Sequence, residues 1–192
     1  MPQFPPATRN FIIACVLIHI AQSQFGVDLL ERFALYPIGA GFRPWQVLTY
    51  AFLHHDFTHL LMNMFGVWML GRPLEYTWGT RRFTNYMIAS ALGTAVVQLV
   101  LGAMPGPQGP SAGASGVAFG LVLGFAMMYP RQTIITLPIP IPMPAWVFAT
   151  LLGLLELVLG ITGIEPDIAH FGHLGGMLGG FIMLQVWAAN RR

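Results

Sequence analysis

Six stretches of mostly apolar residues, each close to twenty residues long and separated by arginine, glycine or proline, constrain this chain more than any other feature. A helix needs roughly 20 apolar residues to cross about 30 Å of hydrocarbon. The candidate spans are 10–29, 58–78, 83–103, 114–130, 144–163 and 168–189. Only 8% of the 192 residues are charged and 55% are hydrophobic. A soluble domain is about a quarter charged, so this chain lacks the polar surface to cover itself in water. The expected fold class is all-α, a polytopic membrane protein of six transmembrane helices forming one domain over 1–192. A long interfacial outer loop joins spans one and two. The first stretch is preceded only by Arg9 and followed by no A-x-A-like cleavage site, so it reads as a retained span rather than a signal peptide.

Arginine placement sets the expected orientation. Arg9, Arg72, Arg81, Arg82, Arg131, Arg191 and Arg192 fall on one side of a six-span arrangement and only Arg32 and Arg43 on the other, which puts both termini in the cytoplasm. The nine basic residues are dispersed along the chain and form no stripe for nucleic acid. The single Cys15 excludes an intrachain disulfide and a cysteine-rich metal site. The outer loop from about 30 to 57 mixes Tyr36, Trp45, Tyr50 and Phe52 with Pro37, Gly39, Gly41 and Pro44, a composition suited to the membrane interface. The segments 104–113 and 138–144 (PIPIPMP) are uncharged connectors that cannot be helical throughout. Span 114–130 reaches only about 25 Å at 1.5 Å per residue, so one of its ends should lie below the membrane surface.

Polar groups inside a membrane are expensive and therefore mark candidate sites. His54, His55, His59 and Asn63 open the second span, with His59 and Asn63 four residues apart on one helix face. Gly113-Ala114-Ser115-Gly116 opens the short fourth span. A serine there exposes its hydroxyl, and its own N–H is one of the helix's unpaired first-turn donors. His170 and His173 precede glycines at 172, 176 and 180, a face without side chains that permits close approach by another helix, expected to be the one that begins at Ser115. Together these supply a nucleophile, a base and oxyanion donors, the requirements of acyl transfer. The bland readings are polar glue, small-residue packing and a buried histidine bonded to a carbonyl. Metal chemistry is the sharper rival, although the chain has no H-E-x-x-H, no cysteine pair and no carboxylate at a matching spacing in these spans. No metal and no cofactor are expected.

In order along the chain, H-x-x-x-N at His59–Asn63, G-x-S-G at 113–116 and H-x-x-G-x-x-x-G at 173–180 resemble the rhomboid family of intramembrane serine proteases. The resemblance runs from about Thr49 to Gly180. It implies Ser115 as nucleophile and His173 as general base, with His59, Asn63 and the backbone at Ser115 and Gly116 stabilising the oxyanion. It further implies accessory roles for His54, Gly113 and Phe119, the last at the position where the family usually stacks an aromatic ring on the catalytic histidine. Glu75 matches a structural acidic residue of the family. The family's dyad works without a third acid, and Asp167, after Pro166, reads as a cap for span six. Glu156, in the middle of span five, stays open between protonation, facing a cavity and pairing across the bundle. The resemblance adds a gating role, because span five of the family moves aside to admit substrate.

The resemblance implies an endopeptidase of a bacterial inner membrane that cleaves transmembrane protein substrates near the outer face through an acyl-enzyme. Its partners would be those substrates and the lipid bilayer, with no nucleic acid. The alternatives are a catalytically silent rhomboid-like protein that binds membrane clients, and a histidine-lined metal or solute transporter.

Overall fold

A computed structural model describes residues 4–25, 27–104, 109–135, 140–164 and 169–190. Helix occupies each of the six apolar segments. The first, α1 (Pro6–Phe25), starts four residues earlier than hydropathy suggests. Proline suits a first helical position because no N–H is needed there. The open N–H groups of the next two residues donate to a carboxylate from elsewhere in the chain. Glu75 accepts from Ala7 N at 2.9 Å, Thr8 N at 2.8 Å and Thr8 Oγ1 at 2.7 Å. The same carboxylate accepts from Thr80 Oγ1 at 2.9 Å, so one buried acid ties together the starts of two helices.

The outer loop contains α2 (Val27–Phe33), α3 (Gln46–Thr49) and a 3₁₀ turn at Tyr50–Phe52. Buried Gln46 organises it, its Oε1 accepting from Tyr36 N and Arg43 N and its Nε2 donating to Arg32 O. The second apolar segment is continuous helix from Phe57 to Trp78, built as α4 (Phe57–Gly66), a π-type turn at Val67–Gly71 and α5 (Arg72–Trp78). Pro73 explains the interruption. A proline inside a helix gives no hydrogen bond to the carbonyl four residues back and crowds it, and widening the preceding turn relieves that crowding.

The remaining helices are α6 (Thr80–Gly102), α7 (Ser115–Met128), α8 (Ala145–Thr162) and α9 (His170–Ala189). Of the described residues, α6, α8 and α9 form helices long and apolar enough to cross a membrane, and α7 is a shorter apolar helix. At 14 residues, α7 spans about 21 Å, shorter than the sequence segment suggests. Between α7 and α8, β1 (Thr133–Ile135) pairs antiparallel with β2 (Pro142–Pro144). This small hairpin is an addition to the expected uncharged connector. The first residue of the sixth expected span and the proposed capping residue Asp167 lie outside the described residues, as do Arg191 and Arg192.

The bundle is centred on α9, and glycines set its spacing. A Cβ on Gly93 of α6 would lie 2.9 Å from Gly179 Cα, and one on Gly175 would lie 2.7 Å from Gly93 O. Real Cβ atoms do not approach that closely, so the α6 and α9 backbones touch. The glycine face at 172, 176 and 180 is shared rather than given wholly to the Ser115 helix. Gly176 meets Gly116 of α7, while Gly172 meets Gln98 and Gly180 meets Tyr86 and Ser90, all on α6. In a bilayer, where apolar burial gives helices little reason to associate, such backbone contact is a main source of cohesion. By contrast, α8 buries only Ala145, Ala149 and Glu156. Leu151, Leu154, Leu155, Val158 and Ile161 are each half or more exposed, the pattern of a lipid-facing helix.

Candidate active site

Ser115 is the first residue of α7, and the arrangement around it follows from the two residues ahead of it. Gly113 has φ 136°, a backbone that side chains rarely tolerate, and donates its N–H to Tyr50 O at 2.9 Å. A Cβ on Gly113 would lie 2.6 Å from His59 Cε1, so glycine lets this loop lie directly against the imidazole. The first backbone bond of α7 runs from Ala118 N to Ala114 O at 2.9 Å. The N–H groups of Ser115, Gly116 and Val117 precede it, at the positive end of the helix. Gly116 also has a packing reason, since a Cβ there would lie 2.9 Å from Thr94 Cβ.

His173, on α9, brings Nε2 to 2.9 Å from Ser115 Oγ. The Phe119 ring lies one turn along α7 and stacks on the His173 imidazole, with centroids 4.2 Å apart and planes within 7°. Close approach of the two helices at Gly116 and Gly176 permits both contacts.

The far side of His173 meets a residue the sequence left without a role. Glu156 Oε2, from α8, lies 2.8 Å from His173 Nδ1 and 2.9 Å from His170 Nδ1, and His170 Nε2 lies 3.2 Å from Ile164 O. The expectation of a site without a carboxylate behind the imidazole is corrected here. All three side chains are buried. A signal for this contact was present in the sequence, because an acid in mid-span requires a polar partner and the next span opens with two histidines. The missing information was which faces of α8 and α9 meet.

These three are also the one group among the described residues with the spacing to hold a metal ion, their ligand atoms lying within 4.8 Å of one another. Each imidazole already directs Nδ1 at the same carboxylate oxygen, an arrangement that hydrogen bonding alone accounts for.

A cavity of about 410 Å³ opens over Ser115 and His173, bordered by Tyr50, His55, His59, Thr94 and Gly113. His59 rests at the start of α4, whose cap is Asp56, its Oδ1 accepting from His59 N at 2.8 Å. That hydrogen bond holds the Asp56 carboxyl below its ordinary range. His55 stacks on His59 with planes within 10°. His54 meets His59 edge-on at 5.2 Å and is buried, and Gln22 bonds its backbone on both sides. Burial, with His59 close by, lowers the His54 pKa to about 4. His54 does not border the cavity. Neither does Asn63, which is buried one turn after His59, its Nδ2 a donor without a partner. Thr94 was not singled out from sequence. It borders the cavity and donates to Gly172 O at 2.9 Å, tying α6 to the turn that carries His173.

The comparisons with known proteins agree with this architecture. The chain is 25% identical over 175 residues to Rhomboid-like protease 3 of Toxoplasma gondii, covering 91% of this chain and 63% of that protein. It is 30% identical over 139 residues to the mitochondrial Rhomboid protein 1 of Saccharomyces cerevisiae, covering 71% of this chain and 40% of that protein. It is 32% identical over 95 residues to Rhomboid protease GlpG of Salmonella choleraesuis, covering 48% of this chain and 34% of that protein. The chain thus spans from about a third to under two thirds of the length of these relatives. The Rhomboid domain model matches residues 41–189, which include the serine, both histidines of α9 and the α4 polar face, and the chain belongs to the rhomboid family, as a helical, multi-pass membrane protein.

Proposed function

We propose that this chain is an intramembrane serine endopeptidase that cleaves transmembrane segments of other membrane proteins with Ser115 as nucleophile and His173 as general base. The observation that carries the reading is the 2.9 Å contact between His173 Nε2 and Ser115 Oγ, both of which line a cavity of about 410 Å³. Ser115 donates its proton to Nε2 as Oγ attacks the scissile carbonyl. The carbonyl oxygen takes up negative charge at the α7 N-terminus, where the Ser115 and Gly116 N–H groups and His59, which borders the cavity, supply donors; Asn63, set back from the cavity one turn along α4, supports this face from behind His59. His173 then protonates the leaving amine, and the acyl group stays on Oγ. Water, activated by the same imidazole, releases the acid and restores the serine. The substrate must be unwound at the cut, since a regular helix engages its carbonyls in hydrogen bonds.

The cell-level reading is a bacterial inner membrane with both termini in the cytoplasm. Arg9, Arg72, Arg81 and Arg82 support it, lying at the end of the bundle tied together by Glu75, opposite the cavity. The deciding experiment uses the full chain in detergent with a single-span substrate. Ser115→Ala and His173→Ala should each lower kcat by about a thousandfold or more, and a fluorophosphonate should label the parent but not Ser115→Ala. Undiminished cleavage by Ser115→Ala would overturn the reading. An unlabelled parent serine would favour a client-binding protein.

A further inference from the structure

Glu156 is an expensive side chain to place, a buried acid in the middle of a lipid-facing helix. The proton bookkeeping around it is restrictive. Ile164 O only accepts, so the 3.2 Å contact requires a proton on His170 Nε2. One further proton must lie between His170 Nδ1 and Glu156 Oε2, which are 2.9 Å apart. Whether it sits on nitrogen or oxygen, the Glu156–His170 pair carries no net charge, which makes burial in hydrocarbon tolerable. Oε2 is left able to accept from His173 Nδ1–H at 2.8 Å. With its proton fixed on Nδ1, His173 presents a bare Nε2 to Ser115 Oγ.

We propose that Glu156 is a positioning residue for the reaction, holding His173 in the Nδ1–H tautomer and so aiming its basic nitrogen at the serine, with His170 balancing the carboxylate. The relay runs Ser115, His173, Glu156 across three helices, α7, α9 and α8. It has the logic of a Ser-His-acid triad, in which the acid stays unreacted and fixes the imidazole. The Phe119 stack fixes the plane of the ring, but a ring face cannot select which nitrogen carries hydrogen; Oε2 does. Here the acid comes from α8 and is shared with a second histidine.

The test pairs kinetics with imidazole ¹⁵N NMR on the full chain in detergent micelles. In Glu156→Leu, which keeps the bulk and removes the acceptor, kcat should fall by about a hundredfold or more while KM changes by less than about threefold. Fluorophosphonate labelling of Ser115 should slow in parallel. His173 should read as the Nδ1–H tautomer in the parent and lose that preference in the variant, a change that a merely structural role would not produce in a protein that melts like the parent. The parent spectrum decides without any variant, because Nε2–H at His173 in the resting protein overturns the proposal. Stoichiometric zinc in the purified chain, with cleavage lost on chelation, also overturns it, since the metal would then take both Nδ1 atoms. The inference rests on Ser115 and His173 being nucleophile and base. An inactive Ser115→Ala beside a fully active Glu156→Leu would sink this inference alone, whereas an active Ser115→Ala would sink that reading first.

Discussion

Replacing Gly176 by alanine adds one methyl group at the point where α9 touches α7. The new Cβ would sit 2.7 Å from the Gly116 carbonyl carbon and 2.9 Å from its Cα, with the carbonyl oxygen closer still, against 3.4 Å for ordinary contact. The obstacle is backbone, which cannot rotate away. The two helices must therefore part by about 0.7 Å or more, and overpacking of this kind costs about 1–3 kcal/mol. Gly176 is three residues from His173 and Gly116 is next to Ser115, so the separation falls almost entirely on the 2.9 Å serine–histidine contact. That contact would stretch beyond hydrogen-bond range, and misplacement of about 1 Å can lower turnover about a hundredfold. Gly153→Ala on α8 is the control. Its Cβ would meet only the flexible end of Met177, at 3.7 Å, so the helix gains about 0.5–1 kcal/mol from the lost glycine and turnover stays unchanged. Thermal melts in detergent and kcat on a single-span substrate measure both variants. A Gly176→Ala protein with parental melting temperature and turnover would refute the view that backbone contact sets the site's geometry.

Two further outcomes follow from residues away from the serine. Glu75→Ala strands the two buried donors of Thr8 and removes the acceptor of the less buried Ala7 and Thr80 donors, and should destabilise by about 3 kcal/mol; thermal melts should show this, with turnover per folded molecule unchanged, and a loss of turnover in properly folded protein would contradict a purely structural role. His54 titrates at about 4 when folded and 6.5 ordinarily, so between those values the unfolded chain binds the extra proton. Stability should therefore be full above pH 6.5 and fall by up to about 3 kcal/mol as pH drops toward 4, a dependence that melts at stepped pH should find weakened in His54→Gln.

The membrane class and the placement of the helices were legible because hydrocarbon thickness permits few alternatives for such an uncharged chain. The helix limits were less so. The start of α1 depends on Glu75, sixty-seven residues from the Thr8 N–H that it accepts, and the π-type turn before Pro73 is a local compromise that hydropathy does not record. Ser115, His59 and His173 could be picked out since each is a polar residue in an apolar setting. Glu156 stood out for the same reason, yet its partners depend on how α8 is rotated against α9, and that rotation is set by contacts such as Gly160 on Phe171 that no pattern along one segment encodes. The pairing of Thr133–Ile135 with Pro142–Pro144 was hidden by the prolines of the segment, which signal extended chain without saying what pairs with it.

The sparse packing of α8 has a thermodynamic consequence. Exchanging protein for acyl chains on an apolar helix face changes its free energy little, so the exposed leucines of α8, such as Leu151, Leu154 and Leu155, do little to keep it in place. Retention falls disproportionately on the carboxylate that it extends inward. The surrounding solvent is nearly indifferent to where this rod stands, and the strength with which it is moored is an electrostatic quantity rather than a hydrophobic one.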